Sequence, residues 1–434
     1  MSKFVPMTVA DIVDTLFPTY NPFRWEAFDG SSTGPVGAEH TVRVNSPEGL
    51  SYIATAPGDV GLARAWVTGG LGVEGEHLAH PYAVFDNLRN LYAHYKRPNP
   101  KELWRIVRSL RGMGAFQIQP VPEAEQASWF ERTVREGLAP HSKERDAEVI
   151  SSHYDVGNDF YELFLGDSMA YTCAYYPTED ASLDEAQENK FRLVFEKLHL
   201  KPGDRHLDIG CGWGTMVRYA AKRGVKSLGV TLSKEQAEWA QAKIKEEGLE
   251  HLAEVRHLDY RDVTESGFDA VSSIGLMEHI GVKNYASYFD FLSSKLRPGG
   301  VMVNHCITFP DNHKTNKGDF IGRYIFPDGE LTGSGTIVRK MQDHGFEVVH
   351  EENLRFDYMR TLRDWCENLK EHWDEAVELV GLNTAKLWGM YMAGSEWGFE
   401  HDIVELHQVM GIKLDSEGSR AGTPERRWWN DSVF

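Results

Sequence analysis

An eight-residue run, Leu207-Asp208-Ile209-Gly210-Cys211-Gly212-Trp213-Gly214, is where residue type and spacing point most clearly to chemistry. An aliphatic strand feeds a glycine-dense turn, where backbone without Cβ atoms can approach a ligand and the amides of a helix N-terminus can hold its polar groups. A nucleotide-like cofactor is therefore expected, against the plainer reading of a tight strand-to-helix turn. The dinucleotide fingerprint GxGxxG is not met, because the glycines fall at 210, 212 and 214 with Thr215 following. The spacing DxGxGxG suits S-adenosylmethionine instead. Gly210, Gly212 and neighbouring amides are expected to face the amino-acid portion of that molecule, with Gly214 in the same set and Asp208 ordering the loop. Further on, Val230-Thr231-Leu232-Ser233 and Gln236 supply polar groups where a ribose would lie, and Asp259-Tyr260 would stand near the adenine.

Such a turn has to be presented by a sheet. From residue 206 the pattern alternates: strands at 206–209, 227–231, 254–257, 268–274 and 301–307, and helices at 215–222, 234–247 and 285–296. This predicts an α/β fold of the class I methyltransferase type, a doubly wound and mostly parallel sheet that binds ligands at its C-terminal edge. A helical, aromatic-rich insertion at 352–400 is expected to cap the site, and residues 403–410 to return as a last strand. Before this lies a smaller α+β unit, residues 1–116, with strand patterns at 41–44 and 51–54 and no catalytic constellation. Residues 117–150 read as a linker, 151–414 as the catalytic domain, and 415–434 as a polar tail whose Trp428 and Trp429 are either packing anchors or ordered tail.

A net charge of −19 over 434 residues argues against nucleic acid, which is bound through clustered Lys and Arg. One local exception is 101–111, where Leu103, Trp104, Val107 and Leu110 recur at helical spacing beside Lys101, Arg105, Arg108 and Arg111. That segment is either a surface helix packed on its own domain or a contact for lipid. No run of 18 apolar residues occurs, and Asp11 and Asp14 interrupt the first apolar stretch, so a cytoplasmic protein is expected. The four cysteines lack zinc-type pair spacing and sit in or beside apolar runs, which predicts reduced thiols.

Several segments then match a known family in order: 153–161 (HYDVGNDFY), 171–176 (YTCAYY), the glycine turn, Val230-Thr231-Leu232-Ser233, 277–281 (MEHIG) and 324–329 (YIFPDG). Over roughly 150–410 the chain resembles the cyclopropane-fatty-acyl-phospholipid synthases and mycolic-acid methyltransferases, and more weakly over its first unit, where full-length bacterial members carry a lipid-handling domain. The resemblance implies methyl transfer from S-adenosylmethionine to the cis double bond of an unsaturated phospholipid acyl chain. It implies a bound bicarbonate ion as base, held by Cys173, Glu278, His305, the amide of Ile307, and Tyr358. Tyr171, Thr172 and Ile274 join the cofactor-binding set. Peripheral contact with the inner face of the cell membrane and a possible homodimer are implied as well.

An alkene is a poor nucleophile, so its attack on a sulfonium methyl leaves a carbocation that must be shielded from water and relieved of a proton. Aromatic faces at 171–176 and 352–400 suit that task. A rival zinc site of Cys173, His305 and Cys306 is disfavoured because neighbouring strand residues point to opposite faces. Thr172 stands where the family usually has serine, and Glu400 and His407 where it commonly has arginine and tryptophan. A cyclopropane, the commoner outcome in the family, is the expected product, with a methylene-branched product, a small-molecule acceptor or a lipid-binding protein without activity as the alternatives.

Overall fold

The computed structural model describes residues 4–122, 125, 141, 143, 145, 157–312, 320–326, 329–425 and 427–429. Most of the expected linker, residues 153–156 of the first family motif, and Pro327 with Asp328 lie outside them. The chain divides into two compact units, Met1–Arg132 with Gly318–Ile325 and Leu369–Trp397, and Thr133–Lys317 with Phe326–Asn368 and Gly398–Phe434.

The first unit runs α1 (Val9–Leu16), β1 (Arg24–Ala27), β2 (Ser32–Thr33), β3 (Thr41–Val44), α2 (Pro47–Thr55), α3 (Asp59–Val67), β4 (Leu71–Glu74), α4 (Tyr82–Ala93) and α5 (Pro100–Gly112). Its sheet has the order β2-β1-β3-β4, with β1 and β3 parallel and the other pairs antiparallel. Phe23, Val42, Val44, Tyr52, Ala65 and Leu71 form its core. The strand expected at 51–54 is instead part of α2. Ser46 caps that helix by accepting from the Gly49 amide, and Pro47 starts it, which overrides a four-residue alternation too short to set a period. Helix α5 opens on a capping box between Asn99 and Glu102 and buries Ile106, Ser109 and Leu110. Leu103 and Trp104, expected on the same face as Leu110, point outward and are 50% and 54% exposed.

Residues 369–397 of the aromatic-rich stretch belong to this unit. Trp373 meets the His77 ring edge-on, Trp397 donates to Asp86, and Lys386 donates to the Trp66 carbonyl.

The second unit continues with α6 (Asn158–Leu165), α7 (Leu183–Lys197), β5 (Arg205–Ile209), α8 (Thr215–Ala221), β6 (Lys226–Thr231), α9 (Lys234–Glu246), β7 (Ala253–His257), β8 (Phe268–Ile274), α10 (Tyr285–Lys295) and β9 (Leu296–Thr308). Then come α11 (Ser334–Asp343), β10 (Phe346–Asn353), α12 (Arg355–Glu371) and β11 (Glu405–Lys413), whereas α13 (Trp373–Glu400), interrupted at Gly381 (φ +77°), lies mostly in the first unit. The sheet order is β10-β11-β9-β8-β5-β6-β7; β11 is antiparallel to both neighbours and the remaining pairs are parallel. The expected mostly parallel, doubly wound sheet is therefore present. One apolar cluster, including Leu207, Ile209, Met302 and Val409, fills one face. Another, with Val301, Val303, Met410, Phe191 and Trp429, fills the face under α7 and α8. Strand β10 was not anticipated, because its second half, His350-Glu351-Glu352-Asn353, is wholly polar. Trp428 and Trp429 are anchors: Trp429 is buried in the second cluster, and Trp428 donates to the Glu196 and Lys197 carbonyls.

Candidate active site

Strand β5 ends in a turn whose three glycines all adopt left-handed φ, at +69° for Gly210, +54° for Gly212 and +72° for Gly214. A Cβ on Gly210 would stand 3.0 Å from Leu276 and one on Gly214 3.0 Å from Ala240, whereas one on Gly212 would meet nothing within 4 Å. Two glycines thus let the loop pack against the protein, and the third leaves its backbone open on one side. At the end of β6, Thr231 donates to the Gln236 amide oxygen, and Gln236 Nε2 is buried without a partner among the described residues. Leu232 accepts through its carbonyl from His257.

Asp208 is buried at the end of β5, next to the glycine loop. It shares a face of β5 with His206, and Ser272 of β8 donates to its carboxylate and bonds the His206 ring. Burial raises its carboxyl to about 7 despite the Ser272 hydrogen bond and the nearby Lys190 charge. Asp259 caps a short 3-10 turn and is closed off by Arg261, which gives it backbone and side-chain hydrogen bonds. Tyr260 packs edge-on against Tyr288 and Phe291.

The residues expected to hold an anion converge through backbone geometry. Glu278 follows β8 and accepts the Ile307 amide on Oε1 at 2.8 Å. Ile307 is paired with Leu406 of β11, whose carbonyl accepts from Leu354; the Leu354 carbonyl in turn accepts from the Tyr358 amide and the Cys173 thiol. His305 lies two residues before Ile307 on the same face of β9, and Ile274 of β8 is its cross-strand neighbour. Cys306, on the opposite face, accepts from Asn304. Cys173, Glu278, His305, Ile307 and Tyr358 are thus brought to one end of the sheet. Glu278 Oε2 and His305 Nε2 are buried there without partners among the described residues.

Burial dominates the electrostatics. It raises the Glu278 carboxyl to about 7, pushes the Cys173 thiol up, and drives His305 well below the usual imidazole range, so the ring is neutral. Thr172 receives a hydrogen bond at 2.8 Å from Lys190, which burial lowers to about 7. Lys190 and Gln187 both sit on the buried face of α7, where Gln187 donates to the Ala170 and Thr172 carbonyls. Sequence reasoning missed both, although a lysine and a glutamine in step with Ala186, Phe191 and Val194 are a legible sign of buried polar work.

Aromatic rings connect the two halves of the site. Trp213 of the glycine turn packs on Tyr161 at 5.1 Å, Tyr161 on Tyr171 at 5.6 Å, Tyr171 on Trp365 at 5.4 Å, Trp365 on Tyr358 at 6.1 Å, and Tyr358 on Phe399 at 4.5 Å.

Comparison with known proteins agrees with this architecture. Residues 141–409 match the family model of mycolic acid cyclopropane synthetase. A "probable fatty acid methyltransferase" of Mycobacterium tuberculosis is 53% identical over 98% of both chains. The cyclopropane-fatty-acyl-phospholipid synthase of Escherichia coli K12 is 36% identical over 64% of this chain and 71% of its own. Among solved structures, the cyclopropane synthase MmaA2 of M. tuberculosis superposes with a TM-score of 0.58 at 31% identity, covering 64% of this chain and 99% of its own. The cyclopropane synthase CmaA1, complexed with S-adenosylhomocysteine and CTAB, gives 0.57 at 31%, covering 64% of this chain and all of its own.

Proposed function

The chain belongs to the mycolic acid cyclopropane synthetase family of S-adenosylmethionine-dependent methyltransferases, and from that premise we propose that it methylates the cis double bond of a phospholipid acyl chain, yielding a cyclopropane. The observation that carries this reading is the series of rings from Trp213 to Phe399 in the same unit as buried Glu278 and His305, each of which keeps a polar atom without a partner among the described residues. A soluble amine or phenol acceptor would need a simple base and an open pocket. Ring faces beside a buried carboxylate suit a substrate that becomes a carbocation, because they stabilise positive charge without trapping it covalently.

The two unpartnered atoms differ in kind, a carboxylate oxygen and an imidazole nitrogen, and bicarbonate, with one O–H and several acceptor oxygens, fits both. When bound it supplies a base for the proton that the cation loses. Glu278 holds an acceptor oxygen in that region, Cys173 and Tyr358 close it from the Leu354 corner, and the rings exclude water. Gly210, Gly212, Gly214, Thr231 and Gln236 would hold the methyl donor. Loss of a proton from the transferred methyl closes the cyclopropane; loss from a neighbouring chain carbon leaves a methylene branch. The second outcome gains weight from the 53% identical relative named as a fatty acid methyltransferase, which spans nearly the whole chain.

We place the protein at the inner face of the cell membrane, where its substrate lies. No helix among the described residues is long and apolar enough to cross a membrane, so contact with lipid would be peripheral. The test is to incubate it with S-adenosylmethionine and vesicles of monounsaturated phospholipid, then analyse the released fatty acids by mass spectrometry and proton NMR. A gain of one CH2 with high-field cyclopropane protons is expected. Vinylidene protons would assign the methylene branch, and methylation of soluble phenols or amines alone would remove the lipid reading.

A further inference from the structure

A row of side chains runs laterally across β10, β11 and β9. The register pairs Glu352 with Gln408 and Gln408 with His305, so all three point to one face, the face covered by α7. From the last turn of α7, Lys197 reaches this row and donates to Glu352 Oε2 at 2.5 Å and to Gln408 Oε1 at 2.6 Å. Gln408 Nε2 lies 3.0 Å from His305 Nδ1. Lys197, Gln408 and His305 are at most 1% exposed, so water does not compete for these bonds.

The chemistry of the donors decides where the His305 proton sits. A protonated lysine donates only, so the Gln408 atom it touches is the amide oxygen. The NH2 group then faces His305, and because it too only donates, Nδ1 must offer its lone pair. In the neutral ring the proton belongs to the other nitrogen. We propose that Lys197 and Gln408 are positioning residues that fix His305 as the Nε2–H tautomer, so that the site presents a hydrogen-bond donor, and no lone pair, to the anion it holds.

Glu352 keeps the series polarised. Burial would raise its carboxyl, but the His350 ring 3.9 Å away and the Lys197 charge outweigh that and bring it down to about 2, and the resulting carboxylate opposes the burial that lowers Lys197 and so favours the lysine proton. His305 then cannot itself take the proton shed by the substrate, since its lone pair faces Gln408. Its part is to hold an acceptor oxygen, with Glu278 on the other side of the same set. The role assigned to the anion rests on the bicarbonate reading above; the tautomer does not.

The test uses the full chain labelled with 15N-histidine, the His305 signals being assigned through a His305→Gln variant, together with calorimetric titration of sodium bicarbonate in CO2-depleted buffer. The wild-type protein is expected to show a protonated Nε2 and a bare Nδ1 at His305. Gln408→Glu puts a carboxylate against Nδ1, which should move the proton there, weaken bicarbonate binding at least tenfold and leave S-adenosylmethionine affinity unchanged. Gln408→Met, which keeps the volume and removes the donor, should give a mixture of tautomers and serves if the glutamate variant fails to fold. A proton on Nδ1 in the wild-type protein, or an unmoved tautomer in both folded variants, would overturn the inference. The expected tautomer with no bicarbonate binding in the wild-type protein would overturn the bicarbonate reading alone.

Discussion

Glu278 keeps one carboxylate oxygen on the Ile307 amide and the other buried without a partner among the described residues, an arrangement that costs stability and has to be offset by use. Burial raises this carboxyl to about 7 from its usual 4.5. Between those pH values the folded protein binds more protons here than the unfolded chain, so this group's contribution falls as pH rises through that window and stays low above it. The shift corresponds to a loss on the order of 3 kcal/mol. Glu278→Gln cannot ionise and should flatten this dependence: against wild type, its unfolding free energy in denaturant should gain on that order between pH 4.5 and 8. The same variant should bind S-adenosylmethionine normally and lose most turnover, and unchanged turnover would refute a catalytic role. Wild-type turnover should rise with pH through about 7 as the carboxylate forms. Such residues were legible because their types are distinctive within short motifs. Their partners were not: Glu278 and Ile307 are 29 positions apart, and nothing local says that the carboxylate takes that amide.

At the scale of elements, the sheet was legible because buried parallel strands read as aliphatic runs between helices of regular period. Strand β10 and the role of Gln408 were not, since both depend on β11 inserting antiparallel between β10 and β9, a pairing set by tertiary packing over about a hundred residues. Helix α2 shows the converse, a short alternation overruled by its cap. The tail gives a test of how far β9 and β11 rely on later sequence. Trp429 is 5% exposed and shares a cluster with Val301, Val303, Met410 and Ile412 of those two strands. Trp429→Ala should destabilise the fold by about 3 to 5 kcal/mol, the usual cost of emptying a buried tryptophan site. Urea unfolding measures this directly, and a change below about 1 kcal/mol would mean that the tail is not part of the core.

At the scale of the whole molecule, the substrate proposed for this enzyme lies in a membrane while the chain carries a net charge of −19, which repels an anionic surface. We propose helix α5 as the local answer. Lys101, Arg105, Arg108 and Arg111 lie along it against one carboxylate, Glu102, which is already engaged by its capping box and by Lys96. Leu103 and Trp104 stand half exposed beside them, and Arg108 covers the rings of both Phe4 and Trp104. A basic surface around exposed apolar side chains suits the headgroup layer, where each basic residue contributes about 1 kcal/mol and the rings enter the acyl boundary. Arg105→Glu with Arg108→Glu should therefore weaken sedimentation with phosphatidylglycerol vesicles by at least tenfold, and added salt should weaken wild-type binding as well. Trp104→Ala should weaken binding to neutral vesicles, where charge gives no help. If helix α5 serves only to bring the protein to lipid, turnover of detergent-dispersed phospholipid should stay at the wild-type level in all of these variants while turnover on vesicles falls. Vesicle binding that is unchanged in the double variant would mean that α5 is simply a solvated surface helix, and the approach to lipid would have to be sought on another face.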